Sequence, residues 1–184
     1  MAHRIITAKR FGRTLSIDPR TRRVAWAYFQ DGELSDCQIK SIRDQEPSVR
    51  VSRLTIPYLI ALLDKCSPHA LLVPRISGAG TRRRSAHVAK TIRGVAREAL
   101  QRGIAVHVLS NDTVKKSFRQ PDGTPARNER DIHLSILDRF PELTVMVPRP
   151  RLKIWEPEQY FTPLFNAVAM YLAWHHQLSN AEED

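Results

Sequence analysis

The stretch that most constrains how this chain can fold is Thr14 to Phe29, TLSIDPRTRRVAWAYF, in which two apolar runs flank an acid, a proline and a basic turn. Leu15 and Ile17 lead to Asp18, the Pro19-Arg20 pair breaks the strand, and Val24 to Phe29 resumes with β-branched and aromatic residues. This pattern predicts a hairpin with a carboxylate at its mouth. Asp31-Gly32 predicts a second tight turn, since this pair tolerates the positive φ that such turns require, and Glu33 to Lys40 follows as a third strand. Asp18 is either a turn cap, the common use of a strand-end Asp, or a carboxylate placed for chemistry.

The remainder of the chain alternates helix and strand. From Pro47 to Lys65, apolar residues including Val51, Leu54, Leu59, Leu62 and Leu63 recur at helical spacing; Pro57 interrupts them and leaves the helix start open. Ala70 to Val73 is a short, fully apolar strand without alternation, as expected for burial on both faces. A glycine- and arginine-rich loop, ISGAGTRRRS, leads to Ser85 as a helix cap. Val88, Ile92, Val95 and Ala99 then draw an inward stripe, with Lys90, Arg93 and Arg97 on the outer side. Gly103 ends that helix, and Ile104 to Leu109 reads as another buried strand, so residues 70 to 109 form a parallel strand-helix-strand crossover. Short helices are expected after Ser110 and from Asn128 to Phe140. Pro141, Pro148, Pro150 and Pro157 then argue for an extended connection, and a last apolar helix runs from about Pro163 to Gln177. One domain at 13–178 is expected, between a basic arm at 1–12 and an acidic tail at 179–184.

Charge narrows the partners. The chain has 29 Lys and Arg against 19 Asp and Glu, a net charge of +10 in which Arg outnumbers Lys. That balance favours a polyanion, because phosphate contacts release counterions and guanidinium groups grip phosphate through two bonds. Cys37 and Cys66 lack metal-ligand spacing and read as free thiols, and no stretch reads as a membrane span or secretory signal, so a cytoplasmic protein is expected. His175-His176 lacks a third ligand for a metal, and His107 reads as a core residue. Gly78-Ala79-Gly80 lacks the later glycine or lysine of nucleotide-binding loops.

The order of elements, three antiparallel strands, helix, strand, helix, strand and terminal helices, matches the RNase H-like fold. The expected fold class is therefore α/β, with a mixed five-stranded sheet of three antiparallel and two parallel strands flanked by helices. Ser16-Ile17-Asp18-Pro19-Arg20-Thr21 resembles the first catalytic motif of Holliday junction resolvases of the RuvC type. GTRRRSAHVAKTIRGVAREALQRGIAVHVLSNDTVKKSF and the terminal FNAVAMYLAW resemble later segments of that family, so the resemblance spans about residues 14 to 174. The resemblance implies carboxylates on the first strand, the fourth strand and the last helix that hold two Mg²⁺ or Mn²⁺ ions. Such ions activate water and stabilise the leaving oxygen of a phosphodiester. It also implies a homodimer, since symmetric nicking of a junction needs two sites.

Asp18 matches the first of these ligands. The others depart from the pattern: Pro74 or Arg75 stands where the fourth strand would end in Glu, Asn166 replaces an acid on the last helix, and Pro163 stands one turn earlier. Arg75 brings a cation near the expected metal position, which opposes a divalent ion. Glu156, Glu158 and Asp112 are the acids available as substitutes, of which Glu158 is the preferred replacement; each also reads as a solvated acid or a helix cap.

Three functions are compatible with these residues. The first is a RuvC-like protein that binds structured or branched DNA through Arg82, Arg83, Arg84, Lys90, Arg93 and Arg97, extended by Lys115 and Lys116, with an impaired or lost nuclease site. The second is an active metal-dependent endonuclease with Asp18 as the metal anchor and Asn166 and Glu158 completing the catalytic set. The third is a scaffold within a larger assembly, with Trp155 as an anchor. The missing acids favour the first.

Overall fold

A computed structural model describes residues 12–42, 51–78, 84–119, 123–126, 128–147 and 159–183. Three strands open the fold: β1 (Arg13–Pro19), β2 (Arg23–Gln30) and β3 (Glu33–Ser41). Asp31 and Gly32 take φ of 51° and 97°, the left-handed pair that the sequence demands for the β2–β3 turn. Helix α1 (Val51–Cys66) leads to β4 (Ala70–Pro74), α2 (Ala86–Gln101) and β5 (Ala105–Leu109). Helices α3 (Asn111–Ser117) and α4 (Glu129–Arg139), a 3-10 turn at Pro141–Met146, and α5 (Thr162–Glu183) complete the order.

The strands form one mixed sheet in the order β3-β2-β1-β4-β5. β1 is central, antiparallel to β2 and parallel to β4, which is in turn parallel to β5. This is the expected arrangement of three antiparallel and two parallel strands. Because side chains alternate along a strand, β1 serves two cores at once. Leu15 and Ile17 join Leu59, Leu63, Val88, Ile92 and Val95 of α1 and α2 on one face. On the other, Ala25, Ala27, Phe29, Ala70 and Leu72 pack under α5 with Phe165, Val168 and Tyr171. Small residues on both sides let α5 lie close to the sheet. Ser16 Oγ reaches the carbonyl of Ala167 at 2.6 Å, and the Phe29 and Tyr171 rings stack with centroids 3.5 Å apart.

The helix predicted after Ser85 forms as read, with Ser85 Oγ accepting from the Val88 amide. Its Gly94 permits close packing on α1: an added Cβ would lie 2.8 Å from Ile56 Cδ1.

Four local expectations change. Pro57 lies inside α1 without ending it, because burial of Leu59, Leu62 and Leu63 holds the helix on both sides of the lost backbone donor. β5 is not buried on both faces: it is the edge of the sheet, and Val108 is 56% exposed. Helix α5 runs six residues past Gln177 to Glu183, through most of the expected tail; Leu178 packs on the core there, and neither Gly nor Pro breaks the segment. The proline-rich stretch begins as a 3-10 turn rather than extended chain, pinned by buried Leu143. Among the described residues no helix is long and apolar enough to cross a membrane.

Candidate functional site

Asp18 lies one residue from the end of the central strand, on the side of the sheet that faces α5. Its side chain is 0% exposed, so its charge requires compensation from close partners. Three residues from three parts of the chain supply it.

Arg20 follows two positions later, where Pro19 ends the strand and Arg20 N–H closes the turn on the Arg23 carbonyl at 2.8 Å. Its guanidinium donates to Asp18 Oδ2 through Nε at 3.0 Å and Nη2 at 2.7 Å. Arg84 comes from the segment just ahead of α2, where its backbone N–H meets the Ile76 carbonyl. Its Nη1 donates to Asp18 Oδ1 at 2.8 Å and to the Pro19 carbonyl at 3.2 Å. Asn166, in the second turn of α5, donates through Nδ2 to Asp18 Oδ2 at 3.2 Å. Both guanidiniums are themselves largely withdrawn from solvent, with side-chain exposures of 24% for Arg20 and 12% for Arg84.

The parallel register also fixes which residue of β4 lies beside Asp18. β1 and β4 pair as Thr14 with Ala70, Leu15 with Leu71 and Ser16 with Leu72, and the same offset sets Asp18 beside Pro74. Pro74 thus lies on Asp18's face of the sheet, whereas Arg75 falls one residue further and is exposed.

This donor set does not fit a divalent ion. Both carboxylate oxygens are already engaged by donors: Oδ2 by Arg20 through two nitrogens and by Asn166, and Oδ1 by Arg84. Among the described residues this carboxylate already faces two guanidiniums, which compete with a metal ion for it. Among the described residues no three of His, Cys, Asp and Glu stand together as ligands.

Of the sequence-predicted residues, Asp18 and Asn166 do meet, as carboxylate and amide donor, and Arg84 joins them instead of standing on an open surface. Arg20 enters the site although its neighbours in sequence mark it only as a strand breaker. Its spacing from Asp18 across a proline was the available signal. Glu158, Glu156, Arg82, Arg83 and Trp155 lie outside the described residues. Asp112 is exposed in the first turn of α3.

Lys90, Arg93 and Arg97 are exposed along α2 as predicted. Lys115 and Lys116 are exposed too, but α3 packs with α5 on the opposite layer, so they do not continue the α2 face. They are separated because α2 packs with α1 on one face of the sheet, whereas α3, which follows β5, packs with α5 on the other. His107 is half-buried on β5 against the Trp174 ring, and burial lowers its pKa.

No protein-family model matches the chain, and no curated protein matches it by sequence. Solved structures match over nearly its whole length. The Thermus thermophilus RuvC structure aligns with a TM-score of 0.66 at 15% identity, covering 92% of this chain and 96% of that one. T. thermophilus RuvC in complex with a Holliday junction substrate aligns at 0.65 and 14% identity, covering 91% and 95%. The yeast mitochondrial Holliday junction resolvase Ydc2 aligns at 0.53 and 12% identity, covering 94% and 81%. The chain therefore has the RuvC-like form of the RNase H-like fold, at sequence identities that speak for the fold alone.

Proposed function

We propose that this protein binds structured or branched DNA on a RuvC-like framework and does not cut it. The observation that supports this reading is the state of Asp18: the carboxylate that the fold would offer to a metal is buried and taken up by Arg20, Arg84 and Asn166. A guanidinium within 2.8 Å of each carboxylate oxygen supplies the positive charge that a nuclease draws from its ions. Unlike a metal, it cannot lower the pKa of a water or present one for attack.

Binding rests on other features. The net charge of +10 favours phosphate, and Lys90, Arg93 and Arg97 line the exposed side of α2. Arg82 and Arg83, immediately before Arg84 in sequence, are proposed as further phosphate contacts. Branched DNA is the preferred form of the ligand because one of the similar structures is a complex with a Holliday junction.

The test is a labelled four-way junction and a matched duplex incubated with the protein in Mg²⁺, in Mn²⁺ and in EDTA, with binding and strand integrity read together. Salt-sensitive binding, tighter to the junction, equal in EDTA and without cleavage, is the expected result. Metal-dependent cleavage that disappears in Asp18→Asn would overturn it in favour of an endonuclease whose ligands include Asn166 and Glu158. In that case Mg²⁺ or Mn²⁺ must displace both arginines from Asp18.

A further inference from the structure

We infer that Tyr160 is a base-stacking residue: its exposed ring, held at the same end of the sheet as Asp18, receives a base that is unstacked where DNA branches. This rests on the proposed function and adds to its phosphate contacts an element that tells branched DNA from duplex.

The ring offers the right surface. Of the large hydrophobic side chains exposed among the described residues, Tyr160 is the one aromatic, at 47% exposure, whereas its neighbour Phe161 packs on the core under α5. A ring left in water forgoes the burial that stabilises a core, but its π face is a surface on which a base of any sequence can stack.

Tyr160 is also held in place. The Arg23 guanidinium carbon lies 5.6 Å from the ring centroid. The Phe161 ring meets it nearly perpendicular, with centroids 5.1 Å apart, and the phenol oxygen is 3.5 Å from Ser41 Oγ. Arg23 also donates from Nη2 to the Gln159 carbonyl at 3.3 Å, which ties the chain just before the ring to the start of β2. Stacking on an exposed side chain costs its rotamer freedom, and here folding has already met part of that cost.

Position supplies the link to DNA. β1 ends, β2 begins and β3 ends along one edge of the sheet, where Asp18 pairs with Ala25 and Arg23 with Ser41. Arg23 accepts from the Arg20 amide through its carbonyl and meets Tyr160 with its side chain. Six residues after Tyr160, Asn166 reaches Asp18. Exposed Arg22, in the same turn, brings a cation for the phosphate beside a stacked base. In duplex DNA the bases are already stacked on one another, whereas a branch point interrupts that stack, so an added ring gains more there.

The test measures binding of the full chain, in EDTA, to two single strands of equal length and charge, one of thymidine nucleotides and one of abasic nucleotides. Tyr160→Ala should weaken binding to the thymidine strand about tenfold, the order of one stacked base. Binding to the abasic strand, and its salt slope, should stay as in the wild type, because the phosphate contacts are untouched. Tyr160→Phe, which keeps the ring, should match the wild type. Tyr160→Leu, which keeps apolar bulk without a π face, should repeat the loss and guards against an unfolded Ala variant. On a four-way junction and a matched duplex, Tyr160→Ala should lower only the junction affinity, again about tenfold.

Equal weakening on both single strands would make the ring a support for the fold and overturn the inference. Unchanged binding to the thymidine strand would do the same, as would a Tyr160→Phe protein as weak as Tyr160→Ala. If the wild type prefers the junction and Tyr160→Ala keeps that preference, the binding function stands and this inference fails. A wild type that binds none of the four DNAs overturns both. Metal-dependent cleavage by a protein that shows the Tyr160 effect in EDTA would sink the non-cutting reading and uphold the stacking role.

Discussion

Replacing Asp18 by Asn separates two kinds of site by the sign of the stability change. Where an acid waits among other acids for a metal, removing its charge relieves repulsion and favours folding. Here the carboxylate is the shared counter-ion of Arg20 and Arg84, and its removal leaves two poorly solvated cations facing an amide. Asp18→Asn should therefore cost about 3 kcal/mol, the order found when one member of a buried pair is removed. Urea unfolding measures it, and Mg²⁺ should leave the wild-type midpoint unchanged. His133 gives a second residue-scale test. Buried against the Phe165 ring at 4.7 Å, it has a pKa pushed below the ordinary histidine value by desolvation, with Glu129 opposing in part. Folding thus favours neutral imidazole, and its contribution is complete above about pH 6.5, the unfolded value, and falls as pH drops below it. Denaturation midpoints should decline below about pH 6.5, and less steeply in His133→Leu; the half-buried His107 accounts for part of what remains.

Helices α1 and α2 are packed closely enough for one added methyl to matter. Gly94 faces Ile56 so tightly that a larger side chain must push the helices apart or force Ile56 from its rotamer. Gly94→Val should cost about 1–3 kcal/mol by overpacking, read as a lower denaturant midpoint with an unchanged slope. Such loosening also bears on the site, since α2 begins directly after Arg84 and its cap. The elements themselves were legible for simple reasons. Alternation in Leu15 and Ile17, the Asp31-Gly32 turn, the Ser85 cap and the α2 stripe are local signals that tertiary packing had no cause to override. Elements misjudged in extent were those whose ends depend on distant partners. β5 looks buried by composition but lies at the edge, and α5 continues to Glu183 because Leu178 finds the core.

At the scale of the molecule, the proposed function predicts a graded electrostatic response. Neutralising Lys90, Arg93 and Arg97 one at a time should lower the salt slope of junction binding by about one for each phosphate no longer neutralised, with affinity falling uniformly across DNA sequences. Lys115→Gln and Lys116→Gln, on the opposite layer, should act independently of those changes, as a double-mutant cycle would reveal. The sequence by itself determined the order of elements, the three-strand platform and the acid at the end of its first strand, because hydropathy period and turn chemistry are written in neighbouring residues. It also shows Pro74, Arg75 and Asn166 where the family resemblance leads one to expect acids. Only the tertiary structure decided what surrounds Asp18. Arg20 is a turn residue by its neighbours and Arg84 a surface cation by its composition. Both are drawn to Asp18 because a fully buried carboxylate must be neutralised, and the fold brings these two guanidiniums within reach.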